Sequence, residues 1–314
     1  MAKTSAKASK KLSTKAARTP RTTKKLRSTL DQRVVAILYR PSTPLASQKA
    51  VELAHWLREQ GSEVLASPGQ TLGRGIKQAS NKDLDRLDLV IVLGGDGTYL
   101  GAVRMLKSHA VPVLGVNMGS LGFLTQTRVE DLFNTVIATL GNKMDFRARS
   151  MLAIEVYRKG KLHGEYMALN DAVLERGSIT HLINIDIHCD KMHVGQVKAD
   201  ALIVATPTGS TAYNLAAGGP VLHPDTRSIV VTPVCPHALT SRPLIFPDDQ
   251  SLNFRITQKD KNAILTVDGA RCGEITFEDE VRITRSPIDH ITVRKPSHNF
   301  FQLLREKLKF GERN

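Results

Sequence analysis

With 314 residues, 41% of them hydrophobic, the chain can bury one large core or two modest ones, and two domains are expected. Its three cysteines, Cys189, Cys235 and Cys272, have no CxxC spacing, which argues against a disulfide framework or a zinc site and fits a reducing cytoplasm. The net charge of +14 would suggest a nucleic-acid partner, but residues 1–30 hold ten Lys or Arg and no acid, leaving about +4 for the rest, ordinary for a soluble enzyme.

Residues 1–32 read as a disordered basic tail of Lys, Arg, Ser, Thr and Ala, with few large apolar residues. The tail lacks the apolar stretch of a secretory signal, and no later segment approaches membrane-span length. A transit peptide has a similar composition, although only Leu12, Leu26 and Leu30 could form an apolar face. A solvated extension and a nonspecific contact with nucleic acid or polyphosphate both fit the charge.

From Arg33 the pattern alternates. A strand over 34–39 precedes a helix over 45–59, which Gly61 stops, and a second strand follows over 63–66. Residues 67–82 are polar and glycine-bearing, and read as a mobile loop. The apolar run 87–93, a helix over 98–108, a strand over 111–116 and a helix over 129–140 complete an order that implies parallel strands covered by helices. After Arg147 the texture turns to strands, over 152–157, 183–188, 201–205, 228–231, 252–256, 263–267 and 291–293, and the chain closes on a helical pattern over 299–310. The fold class expected is α/β plus all-β: a Rossmann-like parallel domain over 33–146, then a β-sandwich-like domain over 147–285. Residues 286–314 form a C-terminal strand and helix that pack back on the first domain.

The most informative segment is Gly94-Gly95-Asp96-Gly97-Thr98, directly after the buried run. Its glycines let backbone approach a phosphate, and the helix that follows offers N-terminal amides to an anion. Asp96 would repel such a ligand unless it serves a metal ion or takes a proton from a hydroxyl, so the turn suggests phosphoryl transfer. Neither a P-loop, a GxGxxG fingerprint, a GxSxG elbow nor a close-spaced metal cluster is present. A second segment, Thr206-Pro207-Thr208-Gly209-Ser210-Thr211-Ala212-Tyr213-Asn214, offers approachable amides, hydroxyls and an aromatic ring suited to a sugar and a base.

With these two segments, Asn170-Asp171, and the run Cys235-Pro236-His237-Ala238-Leu239-Thr240-Ser241-Arg242-Pro243, the chain resembles the NAD kinase family over residues 33 to 310. The resemblance implies ATP-dependent phosphorylation of the adenosine-ribose 2′-hydroxyl of NAD to give NADP, with a divalent cation such as Mg²⁺ and with polyphosphate as a possible alternative donor. It makes Asp96 the proton acceptor and sets Gly97 against the ribose. Asn170 and Asp171 would bind adenosine, Asp171 standing where many relatives have Glu. Thr211, Ala212, Tyr213, Asn214, Leu215 and Ala216 would line the dinucleotide, and Asp200 would recognise the nicotinamide end.

Lys198 and His181 fall where the family places further dinucleotide contacts, often across a subunit interface, so the resemblance also implies a homodimer or homotetramer. An exposed or core role fits His181 equally, and Phe123, matching a family loop beside adenine, also reads as a core plug. Asp268 opens a family turn usually completed by Gln, where this chain has Ala270. No chemistry is assigned to His237 or Arg242, which a proline-bounded turn explains as well. Two other readings stand beside this one. A lipid kinase shares the glycine turn but would show a GTGND-like segment where this chain has Gly115 to Ser120, and a nucleic-acid-binding protein would act through the tail.

Overall fold

The computed structural model describes residues 31–178 and 181–309. The basic tail expected over 1–32 therefore lies, up to residue 30, outside the described residues, as does the last residue of the terminal helical pattern. The first part runs β1 (Val34–Tyr39), α1 (Pro44–Glu59), β2 (Glu63–Ala66), β3 (Lys77–Gln78), β4 (Leu89–Gly94), α2 (Asp96–Leu106), β5 (Val113–Asn117), β6 (Thr127–Arg128), α3 (Leu132–Leu140) and β7 (Asp145–Arg149). Strands β1 to β6 pair in parallel. Every residue of β4 is buried, as expected for a central strand covered on both faces. Its Leu89, Ile91 and Leu93 meet α1 and α3 through Leu53, Leu57 and Val136, while Val90 and Val92 meet Tyr99, Val103 and Leu106 of α2. Each such side chain contributes about 1.5–3 kcal/mol on burial.

The second part is antiparallel: β8 (Leu152–Arg158), β9 (Lys161–Ala168), β10 (Asp171–Arg176), β11 (Ile183–Cys189), β12 (Met192–Ala199), β13 (Ala201–Ala205), α4 (Tyr213–Ala216), β14 (Ser228–Val234), β15 (Leu244–Pro247), β16 (Leu252–Ile256), β17 (Ala263–Val267), β18 (Ala270–Ile275) and β19 (Asp279–Arg285). Two six-stranded sheets form, in the orders β15-β14-β13-β10-β17-β18 and β12-β11-β16-β19-β8-β9. Alternate residues of both, among them Ile154, Leu174, Ile185, Leu202, Phe254 and Leu265, make one shared core, the arrangement of a sandwich. The chain ends with β20 (His290–Arg294) and α5 (Phe300–Leu308). Strand β20 enters the first sheet between β5, to which it is parallel, and β7, to which it is antiparallel.

Three departures from the sequence reading have local causes. The 67–82 loop contains β3 and leads into a 3₁₀ turn at Asn81–Arg86. Strand β10, with the sequence DAVLER, has four helix formers among its six residues, yet its first four residues are buried between β13 and β17, so packing overrides propensity. The helix after the glycine turn begins at Asp96 rather than Thr98, with Gly95 extended at its N-cap. That shift makes Asp96 the first helical residue.

Candidate functional site

Asp96 stands where β4 ends and α2 begins, so its carboxylate faces the partial positive charge of a helix N-terminus. A loop from the far side of β5 grips it. Phe123 N–H donates to Oδ2 at 2.8 Å, Leu124 and Thr125 N–H donate to Oδ1 at 3.1 Å, and the Thr125 hydroxyl donates to Oδ1 at 3.0 Å. The grip depends on Gly122, where a Cβ would collide with the carboxylate. Asn117, at the end of β5, braces the same loop by donating to the Ser120 carbonyl and accepting from Gly119 N–H. Oδ2 is left with a single donor and can still accept a proton from outside.

The opposing wall is built from the sandwich domain. Asp268, in the left-handed region at φ 46°, accepts the N–H groups of Leu169, Asn170 and Asp171 at 2.8, 2.8 and 3.1 Å. The Asp268 N–H donates in return to the Asp171 carbonyl at 3.0 Å. This fixes Asn170-Asp171 at the start of β10. Burial, and then the neighbouring charge of Asp268, push the Asp171 carboxyl up to about 7; burial likewise raises Asp268 against the pull of its three amides. The glycine and hydroxyl turn after β13 lies alongside. Thr206 Oγ1 donates to the Leu169 carbonyl at 2.5 Å, and Gly209 approaches the Asn170 backbone so closely that a Cβ there would clash.

Between the two walls is a cleft of about 510 Å³. Gly97, Asn170, Asp171, Ala212 and Tyr213 line it together, joined by Asp268 and Gly269. Tyr213 is 46% exposed, which leaves its ring free for stacking. Phe123 and Thr211 instead line a smaller cavity behind the Asp96 loop. Asn214 is fully buried, and its side-chain amide is spent inside the protein: Nδ2 donates to the Ser210 and Pro220 carbonyls and Oδ1 accepts from Thr232. It shapes the turn. Leu215 is half-buried and Ala216 exposed, and neither lines the cleft.

Asp200 sits beyond the other end of β10, paired with Arg176 at 2.9 Å. Lys198 is exposed on β12 and His181 is exposed before β11; the structure does not bring these three to the cleft. Five cleft residues escaped the sequence reading: Val173, Glu175 and Thr266 on the sandwich strands, and Leu100 and Arg104 on α2. Positions 97, 100 and 104 share one face of α2, and that helical spacing was the available signal. Arg104 Nη1 donates to the Asp268 carbonyl at 3.1 Å, and Arg104 is the one Lys, Arg or His among the residues lining the cleft.

Among the described residues, no three His, Cys, Asp or Glu side chains stand together as a metal-holding group, and the oxygens of Asp96 face amide donors. The described residues thus form no protein cage for a cation. Nor is any described helix long and apolar enough to cross a membrane.

A parallel α/β domain that presents a GGDGT carboxylate across a cleft from an antiparallel sandwich defines a kinase of the glycine-turn class. Family models for the ATP-NAD kinase N-terminal and C-terminal domains match residues 35–143 and 169–295. The NAD kinase of Bdellovibrio bacteriovorus is 54% identical over 281 residues, 89% of this chain and 93% of that one. The NAD kinase of Koribacter versatilis is 38% identical over 285 residues, 90% and 99% of the two chains. The crystal structure of yeast NADH kinase complexed with NADH superposes with a TM-score of 0.84 at 28% identity, covering 90% of this chain and 89% of that one. A NAD kinase from Archaeoglobus fulgidus in complex with ATP shares the fold, with a TM-score of 0.68 at 22% identity over 87% and 99% of the chains. This chain belongs to the NAD kinase family, and its enzymatic activity is that of a NAD kinase. The lipid-kinase and nucleic-acid readings give way to it.

Proposed function

We propose that the chain binds the adenosine half of NAD in the cleft between α2 and the start of β10, with the 2′-hydroxyl of the ribose against Asp96. The observation that carries this reading is the placement of Asp96: half-buried, oriented by four donors, and adjacent to a Gly97 that lines the same cleft as Asn170, Asp171 and Tyr213. A secondary hydroxyl is a poor nucleophile at neutral pH. Asp96 Oδ2 takes its proton as the oxygen bonds the γ-phosphorus of ATP; the bond from that phosphorus to the β–γ bridging oxygen breaks, and ADP leaves with the electron pair.

Asn170 offers a donor and an acceptor to adenine, and Asp171 accepts from, or when protonated donates to, a ribose hydroxyl. Tyr213 stacks. Arg104 supplies the positive charge on the side of the cleft where phosphates pass. A divalent cation such as Mg²⁺ would neutralise polyphosphate charge if carried by the donor, since the described residues offer no metal-holding group of their own. Asp200, Lys198 and His181 stand away from the cleft within one copy, which supports a homodimer or homotetramer in which they reach a neighbour's dinucleotide. The free cysteines support a cytoplasmic setting, where the product would feed NADP biosynthesis.

The test is formation of NADP by the purified chain from NAD, ATP and Mg²⁺, repeated with inorganic polyphosphate and with NADH. Well-folded protein that makes no NADP above background would overturn the reading.

A further inference from the structure

Behind the loop that holds Asp96 lies the smaller cavity, of about 50 Å³, which the reaction above leaves unused. Phe123 and Leu124 form one wall, Arg149 of β7 and Arg294 of β20 form another, and the hydroxyls of Thr208 and Thr292 border it. The two guanidinium groups differ in their partners. Arg149 is buried and ion-paired with Asp225. Arg294 has no ion pair or side-chain hydrogen bond among the described residues, and its Nε is buried without a partner. Burial, together with the charges of Arg147 and Arg149, lowers the pKa of its guanidinium.

Thr208 Oγ1 is also buried and unpartnered. The Thr292 hydroxyl accepts from Tyr99 at 3.2 Å, so its own proton is left to donate. The charges of Asp225 and Asp145 offset part of the repulsion on Arg294, but no Asp or Glu lines the cavity itself, so a partly buried guanidinium beside a second one, with hydroxyl donors around it, is short of an anion there. An anion would complete it.

We propose that this cavity binds one phosphate-sized oxyanion, with Arg294 as its main ligand and Arg149, Thr208 and Thr292 completing the shell. The planar fork of an arginine matches two oxygens of a phosphate, and hydroxyls supply the remaining donors. The volume is a few times the roughly 10–15 Å³ that a single water requires, enough for one phosphate group and too small for a base or a ribose. Phe123 and Leu124 also donate their N–H groups to Asp96, so the bound anion braces the loop that orients the carboxylate. The phosphate comes either from solution or from the end of a donor's polyphosphate chain.

Calorimetric titration of the full chain with inorganic phosphate, in a buffer free of other oxyanions, is expected to reveal one site. Arg294→Gln weakens it roughly tenfold or more and Arg294→Lys recovers part of the loss. If Arg294→Gln fails to fold, Thr208→Val serves in the same titration, with an expected loss of roughly threefold to tenfold. ATP added beforehand separates the two sources while upholding the site: phosphate binds unchanged if the anion is a free one, and is excluded if the donor's own phosphate fills the cavity. No phosphate binding by the wild type, or equal binding by the wild type and the folded variants, overturns the proposal. The readout is binding, so it stands or falls apart from the kinase reaction.

Discussion

The two domains each set an aspartate before a glycine, and the two are put to different uses. Asp96-Gly97 and Asp268-Gly269 each place a carboxylate where three successive backbone amides of another segment converge on it, residues 123–125 for the first and 169–171 for the second. Asp268 is 5% exposed, and its bonds are spent on holding Asn170 and Asp171 in place. Asp96 is half-buried at a helix N-terminus. In the proposed reading the same amide clamp makes one carboxylate a brace and leaves the other for the substrate. What separates them is burial and backbone setting, a half-buried helix N-terminus against a buried left-handed turn.

Substitution at the two positions should therefore separate rate from stability. Asp96→Asn is expected to lower kcat roughly 10³-fold with only a modest change in Tm, measured by NADP formation and thermal unfolding of the same sample. Arg104→Met should lower kcat/KM roughly tenfold to a hundredfold, the worth of one charge-assisted contact to phosphate. In Asp268→Asn an NH₂ group meets an amide N–H in the clamp; the cost of about 2 kcal/mol should appear as a Tm lowered by roughly 4–8 °C and a raised KM for NAD. Equal losses of kcat in Asp96→Asn and Asp268→Asn at unchanged Tm would dissolve the distinction between brace and base.

Asp171→Asn sharpens the comparison through pH. The Asp171 carboxyl is raised from 3.8 to about 7, so its contribution to stability is full below about pH 4 and is lost as pH rises through 7. Removing the charge should flatten that decline and raise Tm at pH 8 by roughly 2 °C or more, while KM for NAD rises roughly tenfold. A variant whose stability profile over pH 4–8 overlays the wild type would exclude Asp171 as the titrating group.

Much of this was legible in the residues. Alternating apolar runs and helical spacing located β1, β4, β5 and α1 closely, because strands buried on both faces leave uninterrupted apolar sequence. The sandwich was harder to read. Strand β12 is mostly exposed and carries His193, Gln196 and Lys198, and β18 includes Arg271 and Gly273, so neither has a dense apolar signature. The glycine turn announced Asp96, yet nothing local to it revealed the clamp, since Phe123 to Thr125 lie 27 to 29 residues away. Asn214 shows the reverse limit: a residue in a ligand-like motif whose amide is consumed internally. Arg104 escaped because an arginine on an amphipathic helix reads as solvated until the second domain supplies the Asp268 carbonyl beside it.

The place of β20 in the first sheet sets an order of events during synthesis. Until residues 290–294 leave the ribosome, β5 presents an edge that β6 covers only at Val116 and Asn117, and β7 lacks the strand it pairs with, although the sequence of both is long since made. The domain that begins the chain is thus among the last parts to be completed, and the nascent protein must carry an unpaired strand edge through translation of the whole sandwich, a period in which edge-to-edge association with another chain is the competing outcome.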